Sequence, residues 1–199
     1  MRYPQFYETI EPIKVYDPLS QLLGAFEDGE YEFTYLDVVK SAGHSCPTVA
    51  GAYIVTQKAL ELLYPNQRVE RGAIKVEFSQ NEQESVVGVI ANVISQITGA
   101  TKTNGFKGLQ GKFARHSLME FDVKQEGSYR FTRTDTGAFV YLEYDASVVA
   151  PSPKMMKLMQ NMPNLTKEEK NEFGILWQER VKNIFLNKDK TLKIISTHI

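Results

Sequence analysis

The stretch AGHSCPTVAGAY, residues 42–53, decides the fold because it fixes where a long helix begins. Pro47 is favoured at the first position of a helix, where its missing N–H group removes no helical hydrogen bond. Cys46 then takes the N-cap position. Apolar residues recur beyond it at three- and four-residue steps, at Val49, Tyr53, Leu60 and Leu63. This spacing predicts an amphipathic helix over residues 47–63, with a histidine and the only cysteine of the chain at its N-terminus.

Two short helices are predicted before this stretch. Asp17 is an N-cap candidate, and Pro18 follows it at the favoured first helical position. Thr34 and Asp37 have the spacing of a capping box, and Gly43 is expected to end the helix that they open. Apart from the first short helix, the first 30 residues are expected to be irregular.

The middle of the chain is predicted to contain a strand, a helix and further strands. Residues 72–79 alternate apolar and polar side chains, which is typical of a half-buried strand. Apolar spacing favours a helix over residues 84–98. A glycine-rich connection at residues 99–111 leads into two stretches rich in strand-forming residues, 112–125 and 129–145.

The second of these stretches is interpreted as a hairpin that turns at residues 135–137. The composition changes near residues 148–154, where two prolines occur. A Met-rich helix is predicted next, followed by a helix that Thr166 and Glu169 open as a capping box. A short strand is predicted at residues 191–196.

The order of these elements predicts the α+β class. We expect a mixed β-sheet packed against helices, in the order helix, strand, helix, then antiparallel strands. Residues 1–148 are predicted to form one α+β domain. Residues 149–199 are predicted to be a helical C-terminal extension that packs on the same domain.

Charge and composition narrow the function classes. The 23 Lys and Arg residues against 24 Asp and Glu residues give a net charge of −1, so no strong field favours nucleic acid or anionic lipid, and neither is expected as a partner. No apolar run reaches the roughly 18 residues that a membrane-spanning helix needs. One cysteine forms no internal disulfide, and the N-terminal segment lacks the apolar core of a secretory signal. We therefore expect a cytoplasmic protein.

His44 and Cys46 are the strongest candidates for chemistry, and their pattern leaves three interpretations open. At a helix N-cap the cysteine sulfur lies where unpaired N–H groups and the positive end of the helix dipole favour a thiolate. In the first interpretation, the pair ligates a transition metal such as zinc, which accepts nitrogen and sulfur donors. In the second, Cys46 is a nucleophile with His44 as its partner. In the third, Cys46 is a small buried side chain and His44 a hydrogen-bonding residue at the helix entry.

Other residues are candidates for further ligands. Glu82 and Glu84 lie at the start of the helix predicted over residues 84–98, where carboxylates also stabilise a helix start without binding anything. His116 falls in the predicted strand 112–125, where a core or interface role is the alternative. The lysines and glycines of residues 99–112 are able to surround an anion, but they lack the order of a nucleotide-binding phosphate loop.

Several blocks of the chain resemble one family. AGHSCPTVAGAY, then IKVEF, then GVIANVISQITGAT and GFKGLQGKF, occur in the order found in the FmdE-like family, which takes its name from a component of formylmethanofuran dehydrogenase. A Gly-His-x-Cys-Pro segment entering a helix is typical of that family. The resemblance covers about residues 15 to 145.

The resemblance implies an α+β domain, commonly a homodimer, that binds zinc (Zn²⁺) or another transition metal through the motif. His44 and Cys46 match the motif and are expected to be metal ligands, with His116 and Glu84 as candidates for further ligands. Thr98 and Gly99 are followed by alanine, where many members have a further cysteine, so water or a small-molecule ligand is expected to complete the coordination.

The resemblance also implies a wider role, and two alternatives stand beside it. The protein is predicted to be a small-molecule enzyme or an accessory protein of one-carbon, formylmethanofuran-type metabolism. The alternatives are a metal-independent thiol enzyme that uses Cys46 and a non-enzymatic accessory component of a larger oxidoreductase.

Overall fold

The computed structural model describes residues 2–199 and has an α+β fold, as the element order predicts. The α-helices are α1 (Pro18–Leu22), α2 (Tyr35–Ala42), α3 (Pro47–Leu63), α4 (Val87–Thr98), α5 (Pro153–Gln160), α6 (Lys167–Leu186) and α7 (Lys188–Thr191). The strands are β1 (Ile13–Tyr16), β2 (Glu30–Phe33), β3 (Val69–Glu70), β4 (Ile74–Phe78), β5 (Met119–Glu120), β6 (Tyr129–Arg133), β7 (Phe139–Tyr144) and β8 (Leu192–His198).

The strands form two mixed sheets. The smaller sheet has the order β2-β1-β3, in which β1 pairs antiparallel to β2 and parallel to β3. The larger sheet has the order β5-β4-β6-β7-β8, and only its β4–β5 pair is parallel. The prediction of a mixed sheet is therefore confirmed, with a second sheet that was not predicted.

Helix α3 is the centre of the core. It packs across β6 and β7, and α2, α4 and α6 pack in turn against it. Gly51 lies on the face of α3 that meets the ring of Tyr144, where a Cβ atom at residue 51 would overlap that ring. This helix is buried on nearly all sides, and Cys46 at its N-terminus is buried with it, whereas His44 is exposed.

The predicted helix ends are confirmed where local chemistry decides them. Thr34 and Asp37 form the expected capping box, and Gly43 ends α2 in the left-handed region at φ 75°. Thr166 and Glu169 form the second capping box at the start of α6. These ends depend on short-range hydrogen bonds and on the conformational freedom of glycine, which a sequence displays directly.

Three predictions were wrong in extent. The first 30 residues are not irregular, since they include β1 and the start of β2. Helix α4 begins at Val87 rather than at residue 84, because Ser85 has φ 49°, a left-handed conformation outside the helical region. His116 does not lie in a strand: Ser117 has φ 57°, which interrupts the extended chain, and only Met119–Glu120 pairs with β4.

Residues 149–199 contain α5, α6, α7 and β8. The predicted short strand near residues 191–196 is present as β8, which pairs antiparallel with β7 and so adds an edge strand to the larger sheet. The domain boundary at residues 148 and 149 stays a prediction. Within residues 2–199, every helix is too short or too polar to span a bilayer.

Candidate functional site at the start of α3

Cys46 occupies the N-cap of α3, as its position before Pro47 predicts. Its backbone is extended at φ −148°, and its Sγ accepts a hydrogen bond from the backbone N–H of Val49 at 3.4 Å. The side chain is buried, with 9% of the residue exposed. The sulfur therefore lies at the positive end of the helix dipole, where negative charge is stabilised.

His44 lies in the turn between α2 and α3 and is exposed to solvent. Its Nδ1 is 3.0 Å from the carbonyl oxygen of Ala42. A carbonyl oxygen only accepts, so Nδ1 carries the proton in this contact and, in the neutral ring, Nε2 keeps its lone pair. A histidine that ligates a metal commonly donates its other ring N–H to a backbone carbonyl in this way.

Tyrosine side chains surround the motif on its inner side. The hydroxyl of Tyr35 lies 2.9 Å from the hydroxyl of Ser45, and Tyr144 donates a hydrogen bond to the carbonyl oxygen of Pro47 at 2.8 Å. Burial raises the pKa of Tyr35 and the pKa of Tyr144 well above their usual value. Both phenols therefore stay neutral over the physiological pH range.

Helix α6 covers the motif from the outside. Trp177 donates from Nε1 to the carbonyl oxygen of Ser45 at 2.9 Å, and Gln178 donates from Nε2 to the same oxygen at 3.2 Å. Tyr7 in turn donates to Oε1 of Gln178 at 3.0 Å. These bonds connect the N-terminal segment, the motif and the C-terminal extension next to the buried Cys46.

The other candidate ligands have their own partners. Gln80 donates to Oε1 of Glu84 at 2.8 Å, and Lys102 forms an ion pair with Glu82. Nδ1 of His116 lies 3.0 Å from the hydroxyl of Ser117. Within residues 2–199 no three His, Cys, Asp or Glu side chains are grouped to hold one ion. Glu84 and His116 therefore do not complete such a group with the motif.

The residues of α6 that cover the motif are not predictable as part of the site. Neither Trp177 nor Gln178 belongs to a sequence motif that would connect it with His44 and Cys46. They lie 132 and 133 positions from Ser45, so only the folded chain brings them to it.

The comparisons with known proteins add no family. No protein-family model and no curated protein sequence matches the chain. The resemblance that the residues carry therefore stays a prediction.

Proposed function

We propose that this protein binds a transition metal, zinc in the first instance, through Nε2 of His44 and Sγ of Cys46. The proposal is supported by the hydrogen bond from Nδ1 of His44 to the carbonyl oxygen of Ala42. Because Nδ1 carries the proton, the lone pair of Nε2 is available to a metal, two residues from the sulfur that caps α3. Imidazole nitrogen and thiolate sulfur are both ligands that zinc accepts.

The donor set fits a metal only in part. Two protein donors are fewer than the three that a catalytic zinc site usually has, and no third lies with them in residues 2–199. The remaining positions must be filled from outside the single chain, by water, a small-molecule ligand or a second copy of the protein. A metal with such open positions activates a bound water or polarises a carbonyl group.

The proposal also covers the oligomeric state, the location and the metabolic role of the protein. It includes a homodimer in the cytoplasm, with a small molecule as the further ligand. An enzymatic or accessory role in one-carbon metabolism agrees with the resemblance of residues 15–145 to the FmdE-like family. The net charge of −1 agrees with a small or protein partner better than with nucleic acid.

A zinc competition titration tests this proposal. Protein freed of metal is titrated against a chromophoric chelator, and metal content after purification without chelator is measured by mass spectrometry. We expect His44→Ala and Cys46→Ser each to weaken zinc binding by about tenfold or more. His198→Ala is the matched control, because His198 stacks on Phe139 in β7 and is not part of the motif. Equal affinity in all four proteins would refute the proposal.

A metal-independent thiol enzyme is the second candidate. The N–H of Val49 that donates to Sγ of Cys46 favours a reactive thiolate whether or not a metal is present. The metal-free protein distinguishes the two functions. If iodoacetamide labels Cys46 with a pH midpoint well below about 8.5 and zinc gives no protection, the thiol function is favoured.

A further inference from the structure

A cleft that is partly lined by charged side chains opens at the end of the larger sheet where β4 begins. It has a volume of about 470 Å³, and it lies between the turn that joins β3 to β4 and the end of the glycine-rich connection. The lining residues that matter for its chemistry are Glu70, Arg71, Gly72, Lys112, Phe113 and Arg115. Neither His44 nor Cys46 lines it, so it is separate from the motif at the start of α3.

Two of its arginines share one buried carboxylate. Arg115 donates from Nη2 to Oδ1 of Asp17 at 2.6 Å, and Arg71 donates from Nη1 to Oδ2 at 3.1 Å. Asp17 is 3% exposed, and the Arg115 side chain is 8% exposed. One carboxylate neutralises only one of the two guanidinium groups. Because Lys112 adds a third cation and Glu70 a second carboxylate, the wall of the cleft keeps an excess of positive charge.

Arg115 has more donors than the protein uses. A guanidinium has five N–H groups, and Arg115 bonds only through Nη1 to the carbonyl oxygen of Arg71 and through Nη2 to Asp17. Within residues 2–199 no acceptor lies in hydrogen-bonding position for its Nε–H, which is not one of the buried side-chain atoms that lack a partner and so can reach solvent in the cleft. Burial lowers the pKa of Arg115, and the neighbouring Arg71 lowers it further, whereas Asp17 raises it. An added anion would stabilise this charge.

The backbone beside Arg115 offers two further donors. In the part of the chain that the structure describes, no oxygen accepts a hydrogen bond from the N–H of Phe113 or of Ala114. Phe113 has φ 61°, a strained left-handed conformation for an aromatic residue. Strain of this kind is concentrated at functional sites, and consecutive free N–H groups are a common way to bind anions.

Gly72 shapes the opposite wall. It has φ 91°, and a Cβ atom at this position would overlap the guanidinium of Arg115. Glycine therefore allows the arginine to pass close to the backbone at the base of the cleft.

We propose that this cleft binds the oxyanion group, carboxylate or phosphate, of a small molecule through Arg115, Lys112 and the N–H groups of Phe113 and Ala114. Arg71 donates hydrogen bonds to Asp17 and to carbonyl oxygens at the end of α4. It therefore adds positive charge to the cleft without contacting the bound oxyanion. The inference does not depend on metal binding at His44 and Cys46, and either proposal can fail without the other.

Isothermal titration calorimetry with two probes tests the inference. Inorganic phosphate and malonate are titrated separately at constant ionic strength set by sodium chloride. Phosphate tests binding of a phosphate group, and malonate tests binding of a carboxylate. Lys112→Gln removes the exposed cation of the cleft without touching an ion pair that the described residues form. Lys124→Gln is the matched control, since Lys124 is an exposed lysine in the loop at the other end of β4. Arg115→Lys keeps the charge but loses the planar fork.

The expected result is saturable binding of at least one probe to the wild-type protein. Lys112→Gln should raise its Kd about threefold to tenfold, Arg115→Lys about tenfold, and Lys124→Gln not at all. If circular dichroism shows that Arg115→Lys does not fold, the comparison of Lys112→Gln with Lys124→Gln decides alone. Binding of neither probe overturns the inference, and so does affinity that is the same in every folded variant.

Discussion

Trp177 in α6 donates a hydrogen bond to the carbonyl oxygen of Ser45, one residue before the cysteine that caps α3, at 2.9 Å. The contact joins the C-terminal extension to the motif that the sequence marks as the candidate site. Residues 149–199 extend the sheet through β8, and we expect them also to influence how accessible Cys46 is.

Replacing Trp177 by phenylalanine tests this relationship. The change removes the indole N–H and leaves Ser45 with the longer bond from Gln178. We expect a loss of about 1 kcal/mol in the free energy of unfolding and about fivefold faster labelling of Cys46 by iodoacetamide. Urea denaturation and timed alkylation provide the two measurements. Ile175→Val, at a residue 62% exposed on the same helix, should change neither quantity; unchanged labelling in Trp177→Phe would argue against a protective role for α6.

Asp17 predicts a pH dependence of stability. Burial works to raise the pKa of Asp17, but Arg115 and Arg71 outweigh it and hold the pKa below its ordinary value of 3.8. A carboxyl group whose pKa is lowered in the folded state stabilises the protein above the ordinary pKa and loses this contribution as the pH falls towards the folded pKa. The wild-type protein should therefore lose stability below about pH 4, because the unfolded chain takes up a proton at Asp17 before the folded protein does.

Asp17→Asn separates this carboxyl group from the others. Asparagine still caps α1 but removes the charge, so near pH 7 we expect a loss of about 3–5 kcal/mol, the usual cost of removing one partner of a buried ion pair. The difference between wild type and variant, measured by urea unfolding at pH 7 and pH 3, should shrink at the lower pH. A difference of equal size at both pH values would contradict the assignment.

Gly51 should not tolerate a methyl group. Alanine there would overlap the ring of Tyr144, and we expect a loss of about 1–3 kcal/mol in the free energy of unfolding. Gly174→Ala is the control, because Gly174 lies in α6 with open space around it and should gain about 0.5–1 kcal/mol. Combining Gly51→Ala with Tyr144→Leu should cost less than the sum of the two single changes. Additive costs would show that the ring is not the cause.

Replacing either of the other ligand candidates, His116 or Glu84, should not change zinc binding. His116→Ala and Glu84→Gln should leave zinc affinity unchanged within about twofold, since neither side chain is grouped with the motif. The chelator titration that measures His44→Ala also measures these variants. A tenfold loss in either one would mean that a change of conformation brings that residue to the metal.

The features that the sequence predicts best are those determined by residues close together in the chain, such as helix ends. Pro47 and Cys46 specify the start of α3, and Gly43 specifies the end of α2, because each acts through its own backbone or through a bond only a few residues long. Strands β1 and β2 were missed, since their pairing depends on each other and on β3, which lies more than 50 residues beyond β1 in the chain.

The candidate site was predictable only in its local part. The neighbouring positions of His44 and Cys46 are visible in the sequence, but the hydrogen bonds from α6 to Ser45 beside them join distant segments of the chain. The cluster of Asp17, Arg71 and Arg115 is another example, because these residues lie far apart in sequence and nothing in their local patterns pairs them.

Cobalt substitution tests the central claim most directly. Cobalt(II) bound by a thiolate gives a sulfur-to-metal charge-transfer absorption in the near ultraviolet, so the spectrum reports ligation by Cys46 itself. We expect a saturable band in the wild-type protein, its loss in Cys46→Ser, and a weaker affinity in His44→Ala. Absence of the band in the wild-type protein, or its persistence in Cys46→Ser, would contradict metal binding at the start of α3.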